Sequence, residues 1–167
     1  YPRPSLGEPG IMGQTLHVTA STSLAEIRAA TAEDSVYDTV VFTEGTHVID
    51  GAIGVTKPGL TIHIDANATL MPGPSAARIF DIKAPQVTLS GSGTFDGGPS
   101  HSGRSFNDFI HVRDTGDGFH LVGGEKPTSS DLEGSLHFTH ATRAIVVDGA
   151  DNVVIERIAL TDFNPGT

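Results

Sequence analysis

Apolar and polar residues alternate along several short stretches of this chain. In Leu60-Thr61-Ile62-His63-Ile64 the apolar side chains fall at every second position. That pattern sets Leu60, Ile62 and Ile64 on one face of an extended strand and Thr61 and His63 on the other. The runs Thr39 to Phe42, Gln86 to Leu89 and Val153 to Ile158 are equally short, rich in β-branched residues and bounded by Gly, Pro, Asn and Asp, so they also predict strands. Helical spacing occurs once. Ser23-Leu24-Ala25-Glu26 has the spacing of a capping box, and Leu24, Ile27 and Ala30 follow at helical intervals, which predicts one short amphipathic helix reaching Ala32.

The strands belong to a repeat. Val55-Thr56-Lys57-Pro58-Gly59-Leu60-Thr61-Ile62 returns as Ile82-Lys83-Ala84-Pro85-Gln86-Val87-Thr88-Leu89, with Pro58 and Pro85 27 positions apart. A looser copy runs from Val147 to Ile155. Self-similarity at such a period means stacked coils, each burying its apolar face against the next. With no long helical pattern between strands, βαβ crossovers are disfavoured. The pattern predicts an all-β fold, a right-handed single-stranded parallel β-helix with a short N-terminal capping helix. Leu60 should lie over Val87 and Ile62 over Leu89. Residues 1–14, with prolines at 2, 4 and 9, read as an extended arm, and 15–167 as one domain whose coils start at Val36 after the helix.

Two polar insertions interrupt the repeat, one between Gly97 and Asn107 and one between Gly123 and Gly134. Insertions on such folds tend to form the binding face. After Leu160 no capping element follows, and an apolar rung left open there predicts that a second polypeptide continues the coils after Thr167. The chain then reads as the N-terminal part of a longer or a cleaved protein.

Composition narrows the function classes. Ten basic against twenty acidic residues give a net charge of -10, which disfavours nucleic acid or an anionic membrane as partner. There is no cysteine, hence no disulfide, thiolate metal site or cysteine nucleophile. The eight histidines match no zinc-binding spacing, so no metal is expected. No Gly-x-Ser-x-Gly elbow occurs, which leaves a serine hydrolase without a sequence signal.

Leu89-Ser90-Gly91-Ser92-Gly93-Thr94-Phe95-Asp96-Gly97-Gly98 resembles the glycine-rich turn that precedes the catalytic coils of polygalacturonase-type glycoside hydrolases, within the pectin-lyase-like superfamily of right-handed β-helices. The stretch from Ala144 to Thr167 is similar to one of that family's later coils. The resemblance implies a secreted or cell-envelope enzyme that hydrolyses an extended polysaccharide through paired carboxylates, without a cofactor. It also implies that the family's catalytic carboxylates would lie on coils beyond Thr167. Runner-up readings are a polysaccharide lyase or epimerase, for which calcium would serve as cofactor, and a non-catalytic tailspike-like glycan-binding β-helix. Ice binding would need threonines arrayed over successive coils, and only Thr61 and Thr88 are expected to stack.

Within this chain the acidic stretch Asp114-Thr115-Gly116-Asp117-Gly118-Phe119-His120 offers the residues for such chemistry. Glycoside hydrolysis needs one carboxyl group as acid and another as base or nucleophile. Asp114, Asp117 and His120 are the catalytic candidates, against the alternative that Asp117-Gly118 is a solvated turn. His101, Arg104, Asn107, Asp108 and His111 combine the donors and acceptors that a sugar-binding rim requires, and they are the substrate-binding candidates. Changing Arg104 and Asp108 together is expected to cost little stability. Asp96 reads as structural, accepting from backbone amides so that Gly97 can take a positive φ.

Overall fold

The computed structural model describes residues 13–98, 108–124 and 134–163. Strands alternate among three parallel sheets. The first sheet holds, in spatial order, β1 (Gln14–Val18), β2 (Tyr37–Phe42), β5 (Thr61–Ile64), β8 (Thr88–Gly91), β11 (His120–Gly123) and β14 (Val154–Glu156). The second holds β3 (Gly45–Ile49), β6 (Ala68–Pro72), β9 (Thr94–Asp96), β12 (Leu136–Thr139) and β15 (Ile158–Thr161). The third holds β4 (Ile53–Val55), β7 (Phe80–Ile82), β10 (Asp108–Val112) and β13 (Arg143–Val147). From β2 onward the chain visits the sheets in turn, and from β5 onward each strand pairs with its counterpart one circuit earlier.

The alternation read in the sequence becomes the register. Ile62 pairs with Val40 on one side and Leu89 on the other, and Thr88 N donates to Leu60 O, which seats Leu60 beside Val87 as expected. Leu60, Ile62, Ile64, Val87 and Leu89 are all fully buried. Between the sheets lies a stack of aromatic rings. Phe95 stacks on Phe138 with centroids 4.8 Å apart, and Phe80 and Phe109 pack against Phe95 at 6.1 and 5.7 Å. Each circuit thus contributes side chains to one continuous core.

Turns from the third sheet to the first repeat one backbone solution. Gly59 (φ 75°), Gln86 (φ 60°), Gly118 (φ 75°) and Asn152 (φ 57°) take left-handed conformations on successive circuits. Their amides link the circuits: Gly59 N donates to Pro85 O, Gln86 N to Asp117 O and Gly118 N to Asp151 O. Pro58, Pro85, Asp117 and Asp151 therefore hold one stacked position of these turns, and the left-handed residues hold the next.

Helix α1 (Leu24–Ala30) carries the expected capping box, with Ser23 Oγ accepting from Glu26 N and Glu26 accepting from Ser23 N. It ends at Ala30, with Thr31 as the C-cap, two residues short of the predicted end. Ile27 and Ala30 are buried against the core, and Arg28 donates twice to Ala52 O just before β4. The chain differs from expectation in one respect. Gln14 to Val18 form a strand that pairs with β2, so the sheets begin before α1 and the extended arm cannot reach residue 14. The alternation in Gln14-Thr15-Leu16-His17-Val18 has only two apolar residues, too few to stand out after Gly7, Gly10 and Gly13. Among the described residues no helix is long and apolar enough to cross a membrane.

The last described circuit is less covered than its neighbours. Val147, Ile155 and Leu160 stand beside Val112, Leu121 and Phe138 in register, yet they are 42, 42 and 54% exposed where those partners are fully buried.

Candidate functional site

The outer face of the third sheet carries a cluster of charged side chains. Along β7, Phe80 and Ile82 turn inward, which leaves Asp81 outward; His111 occupies the same position on β10, one circuit on. Arg113, just past β10, reaches back to Asp81 in a bidentate pair, with Nε at 2.8 Å from Oδ1 and Nη2 at 3.2 Å from Oδ2. Lys83 Nζ lies 3.8 Å from the same carboxylate. Burial alone would raise the Asp81 pKa, but the Arg113 hydrogen bond and the charges of Arg113, Lys83 and Arg78 outweigh it and hold the carboxyl below its ordinary value. The same pair raises the Arg113 pKa. Asp81 is thus a fixed anion and cannot act as a general acid near neutral pH.

A second ladder runs beside it. Arg78, Asp108 and Arg143 sit on three successive circuits, with Arg78 Nε 3.3 Å and Arg143 Nη2 3.9 Å from the Asp108 carboxylate. Asp108 is 1% exposed. His111 lies above these groups, its Nδ1 4.0 Å from Asp108 and its Nε2 3.6 Å from Asp148, which is exposed. Neither His111 ring nitrogen has a hydrogen-bond partner among the described residues. The imidazole is therefore placed between a buried and an exposed carboxylate.

The predicted residues divide as follows. Asp108 and His111 do come together on this face. Asp108, however, is a buried carboxylate tied to two guanidinium groups, and removing it would strand Arg78, so its truncation cannot be neutral for stability. Asp114 and Asp117 are exposed in the turn after β10, and Asp117 Oδ1 accepts from Asp151 N one circuit on. Asp114 lies against Gly149, the residue after Asp148. His120 starts β11 on the outer face of the first sheet, in register with Thr88 and Val154. Among the described residues no hydrogen bond or ion pair joins Asp114, Asp117 and His120 to one another. His101, Arg104 and Asn107 fall outside the described residues.

Sequence reasoning missed Arg78, Asp81, Lys83, Arg113, Arg143 and Asp148. The one available signal was a carboxylate between two apolar residues in Phe80-Asp81-Ile82, at the repeat position where the previous copy has Gly54. Asp96 keeps its structural reading with a correction. Its Oδ1 accepts from Gly98 N at 2.8 Å, and it is Gly98, not Gly97, that has a positive φ. The same oxygen also takes a 2.8 Å bond from His140 Nδ1 on the next circuit.

The threonine expectation is also corrected. Thr15, Thr39, Thr61 and Thr88 lie in register on four strands of the first sheet, two more than the repeat alone indicated. The neighbouring outward column on these strands is His17, Val41, His63 and Ser90, so the row is one threonine wide. No protein-family model matches this chain, and neither a curated protein nor a solved structure is detectably similar to it.

Proposed function

We propose that this chain forms coils of a right-handed parallel β-helix and that it is part of a secreted or envelope-facing glycoside hydrolase. On this reading an extended polysaccharide lies along the outer face of the third sheet. The observation that carries it is the row of carboxylates on successive circuits of that face, with His111 among them. Asp114 and Asp148 are the exposed pair. They follow β10 and β13, adjacent strands in register, so their backbones are separated by about one strand spacing, ~4.8 Å, and a small offset. Two carboxyl groups so placed come within the range that spans a glycosidic bond. His111 stands beside Asp148 to relay its proton, while Asp81, held as an anion by Arg113 and Lys83, supplies fixed negative charge. Asp117 and His120 remain candidates on the adjoining turn and strand.

The uncovered side chains of Val147, Ile155 and Leu160 support a further coil stacked on this edge of the sheets. Parallel edge strands in three sheets at once accept most readily another circuit of the same kind. The test is to assay the chain, alone and with any polypeptide that copurifies, on extended polysaccharides. New reducing ends should appear, and Asp114→Asn or Asp148→Asn should slow their release by about 100-fold or more. Unaltered rates in both variants would overturn this assignment of the pair. Unsaturated product ends with loss of activity on chelation would establish the calcium-dependent lyase reading instead.

A further inference from the structure

The outer face of the first sheet holds a second constellation, separate from the third-sheet face. His63 on β5 and Ser90 on β8 are register partners, and His63 Nδ1 lies 3.1 Å from Ser90 Oγ. Two residues after His63, Asp65 places Oδ1 3.5 Å from the other ring nitrogen, Nε2. Both His63 and Ser90 line a concavity of about 630 Å³, together with Thr88, Ser92, Val122 and Arg157. Arg157 is fixed there by bonds from Nε and Nη2 to the carbonyl oxygens of Gly123 and Gly124.

These contacts order a hydroxyl, an imidazole and a carboxylate in one line. A carboxylate beside Nε2 favours the tautomer with its proton on that nitrogen, which leaves the Nδ1 lone pair facing the Ser90 hydroxyl. That is the arrangement that activates a serine, with the two imidazole nitrogens exchanged relative to the usual triad. The third requirement, positive charge near a developing oxyanion, is available from Arg157 on the same wall. No local motif announces the set, because the serine and histidine are 27 residues apart and meet only through the strand register.

We infer that Ser90, His63 and Asp65 form a nucleophilic site for carboxylic esters in this concavity. Ser90 Oγ bonds to the ester carbonyl carbon as its proton passes to His63 Nδ1. The carbon–oxygen bond to the alcohol then breaks, and the alcohol leaves with the proton from His63. Water attacks the acyl-serine, gives a proton to His63, and releases the carboxylic acid while Ser90 is restored. Asp65 is a positioning residue that holds the tautomer. The inference does not rest on polysaccharide hydrolysis, since a chain inert towards every glycan would still carry this site.

The test is covalent labelling of the intact chain with a fluorophosphonate, located by peptide mass spectrometry, alongside hydrolysis of p-nitrophenyl acetate. The label is expected on Ser90. His63→Ala should slow labelling by about 100-fold or more. Asp65→Asn should slow it less but displace its pH profile, which a merely structural carboxylate would not do. His17→Ala, exposed on β1 of the same sheet but outside the concavity, should leave both readouts unchanged. All these side chains lie outside the core, so circular dichroism should match the parent. A parent chain that takes no label at Ser90, or a His63→Ala variant that labels as fast as the parent, would overturn the inference.

Discussion

Two glycines with nearly the same backbone angle allow the packing between circuits to be measured apart from backbone strain. Gly45 has φ +125° and Gly91 has φ +123°, both in a region that side-chain-bearing residues rarely adopt. A Cβ added at Gly45 would meet nothing within 4 Å. One added at Gly91 would lie 2.0 Å from Ile64 O and 2.8 Å from Ile64 C, on the backbone of the strand with which Gly91 pairs. Carbon and carbonyl oxygen rest at roughly 3.3 Å or more, so over an ångström of separation would have to be found. The obstacle is the backbone of a paired strand, and no side chain can swing aside to provide that space. Gly45→Ala should therefore cost about 1 to 3 kcal/mol, from conformation alone. Gly91→Ala should cost that plus a further 1 to 3 kcal/mol, roughly 2 to 6 in all, from overpacking. Equilibrium urea unfolding followed by circular dichroism gives both values, provided the dependence on denaturant is unchanged. Equal costs at the two sites would refute the close stacking of successive circuits.

Two further predictions concern the core and the charged face. Ile62→Ala, fully buried between Val40 and Leu89, should cost about 2 to 5 kcal/mol; a loss within experimental error would mean that the inward face has been misassigned. Asp81 has a folded pKa below its ordinary value of 3.8, so the stability it contributes is present above that value and lost as pH falls through the folded pKa. Asp81→Asn should accordingly be most costly near neutral pH, and the urea midpoints of parent and variant should converge in acid; a difference that persists unchanged to the lowest pH would show that Arg113 does not hold this carboxylate ionised.

How much of the fold could be read from the chain depends on which information each element needed. The inward face of Leu60-Thr61-Ile62-His63-Ile64 required only alternation, and the Pro58 and Pro85 turns required only the repeat. The helix announced itself through Ser23 and Glu26, whose capping box is local. Later turns were harder because the repeat stretches. Gly118 and Asn152 occupy the left-handed position of Gly59 and Gln86, but insertions lie between them and no fixed period predicts their stacking. Strand β1 is not legible because Leu16 and Val18 give too short a signal after the glycines that precede them. Its place is set by pairing with Tyr37 to Phe42, a partner on the far side of the helix.

The candidate sites were less legible for a related reason. Each depends on which residue of one circuit lies beside which residue of the next, and that offset differs from pair to pair. Arg78 meets Asp108 at a separation of 30 residues, Arg113 meets Asp81 at 32, His63 meets Ser90 at 27 and His140 meets Asp96 at 44. A reader of the sequence sees a lone Asp81 between Phe80 and Ile82, and a lone Ser90 in a glycine-rich turn. Neither has a partner within hydrogen-bonding reach along its own strand, because successive outward side chains on a strand are two residues apart and stand roughly parallel. Chemistry on this fold is therefore assembled across strands. Acidic clustering along the chain, as in Asp114 to Asp117, is a poor guide to it, and Asp117 shows why: its carboxylate is occupied by Asp151 N of the next circuit. The better guide is a polar residue standing where its counterpart on the adjacent strand can complete it, as Arg113 completes Asp81 and His63 completes Ser90.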